Sequence, residues 1–305
     1  MTYTIAEKKI MSSDGKNILS GIMYIPDDDV RGVFHLVHGM TEYIGRYDTL
    51  FEQLSSAGYL CVGFDNLGHG NTAKEEDLGF IASKNGYKYL VDDVKLFADN
   101  IKSDYPDLPY YLMGHSMGSF ITRLAVAKYK DLADKYIICG TAGKNPAADI
   151  GLLLCDIVKL FHGERAISPM LENITFGTYN KRFERLSKYD WLTKDREVIK
   201  KYSQDRFCTF HFTVSAMHDL ITLVKKSNSK KWFTSVDNNL PILIVSGDMD
   251  PVGNYGKGVK EVYNRLKSAQ KNDVTLFLYK DCRHEIHNDS CKGQMLNDIL
   301  RFIAK

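Results

Sequence analysis

The stretch that decides the fold is YYLMGHSMGSF, residues 110–120. Its first four residues form an apolar run, and the pentapeptide Gly114-His115-Ser116-Met117-Gly118 leads into an amphipathic helical pattern over residues 120–127. A strand, G-x-S-x-G and a helix in this order are typical of a nucleophile elbow, in which a tight turn presents a serine. Both glycines suit such a turn, because side chains there would clash with neighbouring backbone. We therefore predict that Ser116 is a nucleophile.

Short apolar runs alternate with amphipathic helical patterns along most of the chain. The apolar runs, which predict strands buried on both faces, cover 33–37, 59–64, 110–113, 135–139, 241–245 and 274–279. The helical patterns cover about 47–57, 86–103, 119–130, 256–268 and 290–303. Residues 3–11 and 17–25 have the pattern of a hairpin. We predict an α/β fold with a mostly parallel sheet and an N-terminal antiparallel hairpin at one edge.

The alternation stops between Lys144 and Trp232, where the sequence contains no convincing buried strand. Helical patterns recur there at 150–158, 195–202 and 213–225. We interpret residues 144–232 as a helical cap, and residues 1–143 and 233–305 as the α/β core. Because open α/β sheets bind ligands at the carboxyl ends of their strands, we expect the cap to cover that edge.

Two later segments complete the set of residues that serine chemistry needs. A serine hydroxyl becomes nucleophilic when a histidine removes its proton, and an acid orients the histidine. Where a nucleophile elbow occurs, the chain order is serine, acid, histidine. Asp250 follows the predicted strand 241–245, and His284 follows the predicted strand 274–279. We predict that Ser116, Asp250 and His284 meet at the carboxyl ends of three strands.

Nearby residues offer alternatives for the acid and the base. Asp248 also follows strand 241–245, but it lies closer to the strand than Asp250 does. His287 lies three residues beyond His284 and can face the same side of a turn. We prefer Asp250 and His284, and we expect His287 to be a supporting or surface residue. Two further histidines are interpreted as packing residues, His115 beside the elbow and His35 inside a strand.

An oxyanion hole needs two backbone N–H groups. Met117 supplies one, because it follows the nucleophile at a helix N-terminus, where developing negative charge is favoured. The second comes from the loop after the third strand, which here begins His38-Gly39-Met40. We predict that the N–H of Met40 is the second donor; the alternative is that His38-Gly39 forms only a turn.

Bulk composition excludes several classes of protein. The 305 residues carry a net charge of +2, with 40 Lys and Arg against 38 Asp and Glu, so we expect no nucleic-acid partner. The six cysteines are scattered without a C-x-x-C pair, so neither a zinc site nor a dithiol redox site is expected. The start of the chain lacks a signal-peptide pattern, and no apolar run reaches 18 residues. We therefore expect a cytoplasmic protein with reduced thiols.

Several motifs together resemble one family. They are His38-Gly39-x-x-Glu42 with Arg46-Tyr47, Asp65-x-x-Gly68-His69-Gly70, the elbow at 114–118, Gly247-x-x-Asp250 and the late His284. They are similar to the motifs of the monoacylglycerol lipase and lysophospholipase branch of the α/β-hydrolases, and the likeness covers nearly the whole chain. It implies an α/β-hydrolase fold with an eight-stranded sheet, a helical cap, and hydrolysis of carboxylic esters without cofactor or metal.

Two residues depart from that family pattern. Ser119 stands where many relatives have a third glycine, and Leu67 stands where relatives often have a basic residue before Gly-His-Gly. Serine is small enough that we expect little change at the elbow. In this interpretation Asp65 and His69 are structural residues of their loop.

The cap is rich in apolar residues that would suit an acyl chain. They include Leu152, Leu153, Leu154, Ile157, Leu160, Phe161, Phe207, Phe210, Phe212 and Met217. We expect some of them to form an apolar inner face over the substrate, and the rest to pack the cap onto the core. The resemblance thus implies a small ester or lipid substrate, such as a monoacylglycerol or lysophospholipid. A lipid substrate leaves transient contact of the cap with a membrane surface open, although the sequence contains no strongly basic amphipathic helix.

Other functions remain open from the sequence. Similar capped α/β-hydrolases resemble general carboxylesterases or prolyl aminopeptidases, and an aminopeptidase needs acidic cap residues to hold the substrate amine. The available ones are Glu164, Glu172, Glu184 and Glu197. A different class is a ligand-binding protein that keeps the fold without its chemistry, although the Ser, Asp and His candidates argue against it. The sequence leaves the oligomeric state unknown.

Overall fold

The computed structural model describes residues 2–305 and contains one eight-stranded sheet. The strands are β1 (Tyr3–Met11), β2 (Ile18–Pro26), β3 (Gly32–Val37), β4 (Tyr59–Phe64), β5 (Tyr110–His115), β6 (Lys135–Cys139), β7 (Ile242–Gly247) and β8 (Val274–Tyr279). Their order in the sheet is β1-β2-β4-β3-β5-β6-β7-β8. The β1–β2 and β2–β4 pairs are antiparallel, and all later pairs are parallel. The predicted mostly parallel sheet with an antiparallel hairpin at its edge is confirmed.

Ten α-helices accompany the sheet among the described residues. They are α1 (Asp48–Ser56), α2 (Gly86–Asp104), α3 (Met117–Lys128), α4 (Ala148–His162), α5 (Pro169–Phe176), α6 (Arg196–Gln204), α7 (Val214–Ser227), α8 (Lys230–Ser235), α9 (Lys257–Ser268) and α10 (Lys292–Ile303). Apolar side chains of α1 and α10 pack with one face of the sheet, and those of α2, α3 and α9 pack with the other. Apart from the half-buried Lys135 at the start of β6, the residues of β3 to β7 are all buried, which follows from this double cover. The expectation that 274–279 is buried on both faces is wrong, because β8 is an edge strand and Phe277 is exposed.

The insertion between β6 and β7 consists of helices α4 to α8 and their connections. Sequence patterns indicated α4, α6 and α7, whereas the short helices α5 and α8 were not predicted. The buried face of α7 joins the same apolar cluster as α2 and α3, so α7 attaches the insertion to the core. The division into a core of 1–143 and 233–305 and a cap of 144–232 remains a prediction. Within residues 2–305, none of the helices combines the length and apolar character needed to cross a bilayer.

Candidate active site

The elbow has the backbone geometry that its sequence predicts. Ser116 lies between β5 and α3 with φ of 53° and ψ of −122°, a conformation that side-chain-bearing residues rarely adopt. A Cβ atom on Gly118 would overlap the carbonyl oxygen of Val37, and one on Gly114 would overlap the hydroxyl of Thr122. The two glycines are therefore required because neighbouring atoms approach the turn closely.

Asp250 and His284 are brought together, as predicted. His284 Nδ1 lies 2.9 Å from Asp250 Oδ2, and both side chains are buried. The other carboxylate oxygen accepts the N–H of Val252 at 2.8 Å, and Ser246 Oγ donates to Oδ2 at 3.4 Å. Because both oxygens of Asp250 are held, the carboxylate has a fixed orientation toward the imidazole. The geometry suits an acid that fixes the tautomer of a histidine base.

The ring of His284 is enclosed by two aromatic rings. His115 lies on one side with a centroid distance of 4.8 Å, and Trp191 of the cap lies at 5.0 Å. The backbone N–H groups of His284 and Glu285 donate to the carbonyl oxygens of Trp191 and Leu192, at 3.4 and 2.7 Å. Both the ring and the backbone of the histidine loop therefore rest on cap residues 191–192.

Ser116 and His284 line the same cavity. Ser116 is half-buried, and within residues 2–305 no hydrogen bond joins its hydroxyl to His284. Contacts between a nucleophile and its base are often long in unliganded sites and tighten when substrate binds. The structure thus brings the three predicted residues into one site, with the Asp250–His284 hydrogen bond formed.

The two predicted oxyanion donors also line this cavity. Neither the N–H of Met40 nor that of Met117 donates a hydrogen bond to the described residues. Two free N–H groups beside a serine are the arrangement that stabilises a tetrahedral oxyanion. The loop of Met40 is itself held, because Glu42 Oε1 accepts the N–H of Gly39.

A buried ion-pair network supports the loops of Met40 and His284. Arg46 binds Glu285 through two hydrogen bonds of 2.7 Å, and it binds Glu42 at 3.0 Å. Burial would raise the pKa of Glu285, but the adjacent Arg46 guanidinium outweighs burial and lowers that pKa to about 2. Glu42 lies in the loop that follows β3, and Glu285 directly follows His284. Arg46 therefore joins the loop of Met40 to the loop of His284.

His115 and His287 lie in the same buried region. His115 Nδ1 is 2.7 Å from the hydroxyl of Tyr47 and 3.2 Å from Glu42 Oε1. Burial opposes protonation of His115, but the hydrogen bond and charge of Glu42 outweigh it and raise its pKa above the usual value. His287 stacks on Tyr47 at 4.5 Å, and burial lowers its pKa to about 3. His287 is buried, so the expectation that it lies at the surface is wrong.

The other sequence alternatives lie apart from the reacting atoms. Asp248 Oδ1 accepts the N–H of Asp281 and does not line the cavity. His35 is fully buried within β3 and bonds the hydroxyl of Tyr110, as expected of a core histidine. Asp65 accepts backbone N–H groups of its own and a neighbouring loop, which agrees with a structural role. Among residues 2–305, no group of three metal-ligating side chains is assembled.

The cavity over Ser116 has a volume of about 970 Å³. Its walls include strand-end loops, residues of α4, α5 and α7, and the cap segments 188–189, 191–192 and 208–211. Of the apolar cap residues expected to face the substrate, Leu154 and Phe210 do line it. In contrast, Leu153, Ile157, Leu160 and Phe161 point outward and are exposed. The pattern of α4 showed an apolar face but could not tell which side of the cap it occupies.

Sequence reasoning missed three residues beside the site, namely Trp191, Tyr202 and Glu285. Trp191 covers the ring of His284, Tyr202 of α6 lines the cavity, and Glu285 pairs with Arg46. The family motif contained Arg46 and its partner Glu42, but it gave no sign of the second partner, Glu285. The only available signal for Glu285 was its position next to His284.

Known proteins resemble the chain over its full length. It is 25% identical over 307 residues to a monoacylglycerol lipase of Mycolicibacterium smegmatis, covering 100% of this chain and 99% of that one. It is 23% identical over 284 residues to the monoglyceride lipase of Mus musculus, covering 92% and 84%.

Solved structures agree on the fold. A highly thermostable carboxyl esterase from Bacillus coagulans, in complex with glycerol, superposes with a TM-score of 0.92 at 28% identity, covering 99% of this chain and 98% of that one. A soluble variant of the monoglyceride lipase of Saccharomyces cerevisiae superposes with a TM-score of 0.78 at 18% identity, covering 99% and 95%. Residues 28–291 match the family model described as serine aminopeptidase, S33. The protein is therefore an α/β-hydrolase and belongs to this serine hydrolase family, Hydrolase_4.

Proposed function

We propose that the protein cleaves carboxylic esters through an acyl-enzyme on Ser116. The observation that carries the proposal is the 2.9 Å bond from Asp250 to His284, which lines one cavity together with Ser116 and the residues Met40 and Met117, whose backbone N–H groups donate to no described residue. Nucleophile, base, orienting acid and oxyanion donors are the parts that acyl transfer needs.

The reaction has two steps. Ser116 Oγ attacks the ester carbonyl while His284 Nε2 takes its proton, and Asp250 stabilises the resulting imidazolium. The N–H groups of Met40 and Met117 donate to the oxyanion. His284 then protonates the leaving alcohol, and the acyl group stays on Ser116. A water molecule deprotonated by His284 attacks the acyl-enzyme, and the acid leaves as Ser116 regains its proton.

The substrate we propose is a lipid ester with one acyl chain, a monoacylglycerol or a lysophospholipid. A cavity of about 970 Å³ lies at the upper end of the range of roughly 300–1,000 Å³ for small-molecule sites. Its apolar wall includes Leu154 and Ile221, which suits a hydrocarbon chain. The named relatives that act on monoacylglycerols support the same substrate class.

The outer face of the cap supports transient contact with a lipid surface. Helix α4 exposes apolar side chains at intervals of three or four residues, so they share one helical face. They are Ile150, Leu153, Ile157, Leu160 and Phe161. Helix α5 adds Met170 and Ile174. Because Ile150 and Ile174 also line the cavity, the apolar surface continues into its mouth, where a lipid could enter.

An aminopeptidase is less well supported, although the family description contains that word. Of the four candidate acidic cap residues, only Glu172 lines the cavity, and His211 already binds it at 2.8 Å. Glu164 bonds Ser83, and Glu184 bonds Arg283. A substrate amine would thus find no free carboxylate among these four cap residues except the exposed Glu197 outside the cavity.

The test of the proposal is Ser116→Ala. Turnover of a short p-nitrophenyl ester should fall about 10⁴–10⁶-fold, because the substitution removes the nucleophile of the proposed acyl-enzyme. The wild-type protein should react with a fluorophosphonate probe, and the variant should not. Ser203→Ala on the exposed face of α6 is the matched control and should keep both signals. A wild-type protein without labelling would favour a ligand-binding protein instead.

A second assay separates the substrate classes. Wild-type protein is compared on monoacylglycerols of increasing chain length, lysophospholipids, short aryl esters and aminoacyl amides. We expect kcat/KM to rise with chain length among the lipid esters, because each buried methylene adds about 0.8 kcal/mol of binding. Preference for short aryl esters would instead indicate a general carboxylesterase, and cleavage of amides an aminopeptidase.

A further inference from the structure

The residue after the predicted oxyanion donor Met40 has an unusual backbone. Thr41 has a φ of 49°, in the left-handed region that disfavours a β-branched side chain. Such a conformation persists only where surrounding contacts hold it. Thr41 adjoins Met40, so the contacts that hold Thr41 also constrain the loop that carries the N–H of Met40.

The cap supplies the contacts that hold Thr41. The hydroxyl of Tyr202, on α6, donates to the carbonyl oxygen of Thr41 at 2.9 Å. The same hydroxyl accepts a hydrogen bond from Thr41 Oγ1, also at 2.9 Å. One tyrosine therefore fixes both the carbonyl and the side chain of Thr41. On the other side of Met40, Glu42 holds the N–H of Gly39.

Tyr202 is itself firmly placed. Its side chain is buried, and the guanidinium of Arg46 lies over its ring at 4.7 Å. Arg46 is the residue that joins Glu42 to Glu285. Tyr202 also packs with Leu192 and Cys208 in a small apolar cluster of the cap. A displacement of α6 would therefore also displace the loop that carries Met40.

We propose that Tyr202 is a positioning residue, which keeps the N–H of Met40 directed at the oxyanion by holding Thr41 in its left-handed conformation. This inference rests on the proposed function, because it concerns the oxyanion hole of that site. The catalytic geometry of the core is then complete only while α6 of the cap is seated. A cap displaced at α6 would retain Ser116, His284 and Asp250 yet lose one oxyanion donor.

The test is Tyr202→Phe, which removes the hydroxyl and keeps the ring over Arg46. Without its hydrogen bonds Thr41 should relax toward negative φ, and the fraction of protein with a competent Met40 should fall. We expect kcat for a short p-nitrophenyl ester to fall about tenfold, less than the roughly 10²–10³-fold loss on deleting an oxyanion donor. KM should stay within about twofold, since binding of the ground state does not use the oxyanion hole.

A second measurement reports on the oxyanion directly. A trifluoromethyl ketone forms a tetrahedral adduct on the serine, and its oxyanion occupies the same hole. The affinity of Tyr202→Phe for this inhibitor should fall in parallel with kcat. Tyr43→Phe is the matched control, because the hydroxyl of Tyr43 also joins this loop to the cap, at Asp205 Oδ2, without touching Thr41. We expect this control to keep kcat within about twofold of wild type.

Rescue by glycine distinguishes positioning from general damage. Glycine adopts positive φ about as readily as negative φ, so Thr41→Gly in the Tyr202→Phe background should restore part of kcat and of inhibitor affinity. An unchanged kcat in Tyr202→Phe, a loss carried by KM alone, an equal loss in Tyr43→Phe, or no recovery with Thr41→Gly would overturn the inference. The proposed function predicts fluorophosphonate labelling of wild-type Ser116 whether or not Tyr202 positions Thr41. Labelling without the expected effects of Tyr202→Phe would therefore overturn only this inference, whereas absence of labelling would overturn the proposed function.

Discussion

The loops after β3, β5, β7 and β8 differ sharply from cap helices α4 and α5, although both border the same cavity. The loops carry buried polar groups, and ion pairs and hydrogen bonds hold them, as Arg46 does between Glu42 and Glu285. Helices α4 and α5 have few buried residues and turn apolar side chains to the outside. We call these loops the catalytic loops, because they have the fixed geometry that the proposed acyl transfer requires. Helices α4 and α5 carry the surface that we propose contacts a lipid.

This difference suggests that bond cleavage and substrate capture are separable in this molecule. Changes in the catalytic loops should affect every ester alike, because all esters form the same oxyanion and acyl-enzyme. Changes on α4 and α5 should affect only esters presented in a lipid phase. Measuring each variant on a short soluble ester and on a lipid ester in vesicles tests the separation.

The largest effect is expected from Asp250→Asn. An amide cannot stabilise the imidazolium and favours the wrong tautomer of His284, so kcat should fall about 10⁴-fold on soluble and lipid esters alike. Asp248→Asn is the matched control, because the Asp248 carboxylate accepts the N–H of Asp281 and lies outside the cavity. It should keep kcat within about threefold. Equal losses in the two variants would contradict the assignment of the acid.

A smaller and selective effect is expected from Leu160→Ser combined with Phe161→Ser. These side chains are 79% and 75% exposed and do not line the cavity. Burying a leucine or phenylalanine contributes about 1.5–3 kcal/mol each, so partial insertion into lipid predicts a loss of about 30-fold in kcat/KM on monoacylglycerol in phosphatidylcholine vesicles. Hydrolysis of a short soluble ester should be unchanged.

Ile5→Ser is the control for the cap variant. Ile5 is an exposed residue of edge strand β1, whereas the cap is inserted between β6 and β7 near the other edge of the sheet. Replacing Ile5 should therefore leave hydrolysis of monoacylglycerol in vesicles unchanged. Vesicle co-sedimentation should weaken for the cap variant alone. Equal losses of vesicle hydrolysis in the two variants would show that substrate capture and bond cleavage are not separable. The same conclusion would follow if the cap variant lost as much activity on the soluble ester as on vesicles.

The smallest effect concerns stability near the catalytic loops. Burial lowers the pKa of His287 to about 3, whereas an unfolded histidine titrates near 6.5. As pH falls below 6.5 the unfolded chain binds a proton that the folded protein does not, so stability is lost with falling pH between 6.5 and about 3. His287→Phe should abolish this term, and it should sacrifice no hydrogen bond, because both ring nitrogens lack a partner in the described part of the chain.

The measurement is urea unfolding of wild type and His287→Phe at pH 7.5 and pH 5.5. From the higher to the lower pH, wild type should lose about 1.4 kcal/mol more free energy of unfolding than the variant does. The phenyl ring can keep the stacking on Tyr47. An identical pH dependence in the two proteins would contradict a neutral buried His287.

Much of the fold and the candidate site could be predicted from sequence because local rules govern them. Apolar runs indicated six of the eight strands, a hairpin pattern indicated β1 and β2, and helical periodicity indicated the long core helices. Double burial explains the apolar runs of β3 to β7, whereas β8 is an edge strand. Ser116, Asp250 and His284 could be grouped because each follows a strand of the sheet. Their roles as nucleophile, acid and base remain predictions.

The rest depends on contacts that no local pattern records. Tyr202 lies 161 residues from Thr41, and nothing in the helical pattern of α6 marks which of its residues will reach the oxyanion loop. The outward direction of the apolar face on α4 is a further example, because periodicity identifies a face but not its partner. Glu42, Arg46 and Glu285 form their network only once two loops meet.

The seating of the histidine loop on cap residues 191–192 has a consequence for exchanging caps between relatives. A transplanted segment that included these residues would replace the backbone carbonyls on which His284 and Glu285 rest. If only α4 and α5 were exchanged, the protein that receives them would keep Tyr202 and the carbonyl groups of Trp191 and Leu192. We therefore expect that only the first half of the insertion can be exchanged without disturbing the histidine loop, because the second half supports that loop.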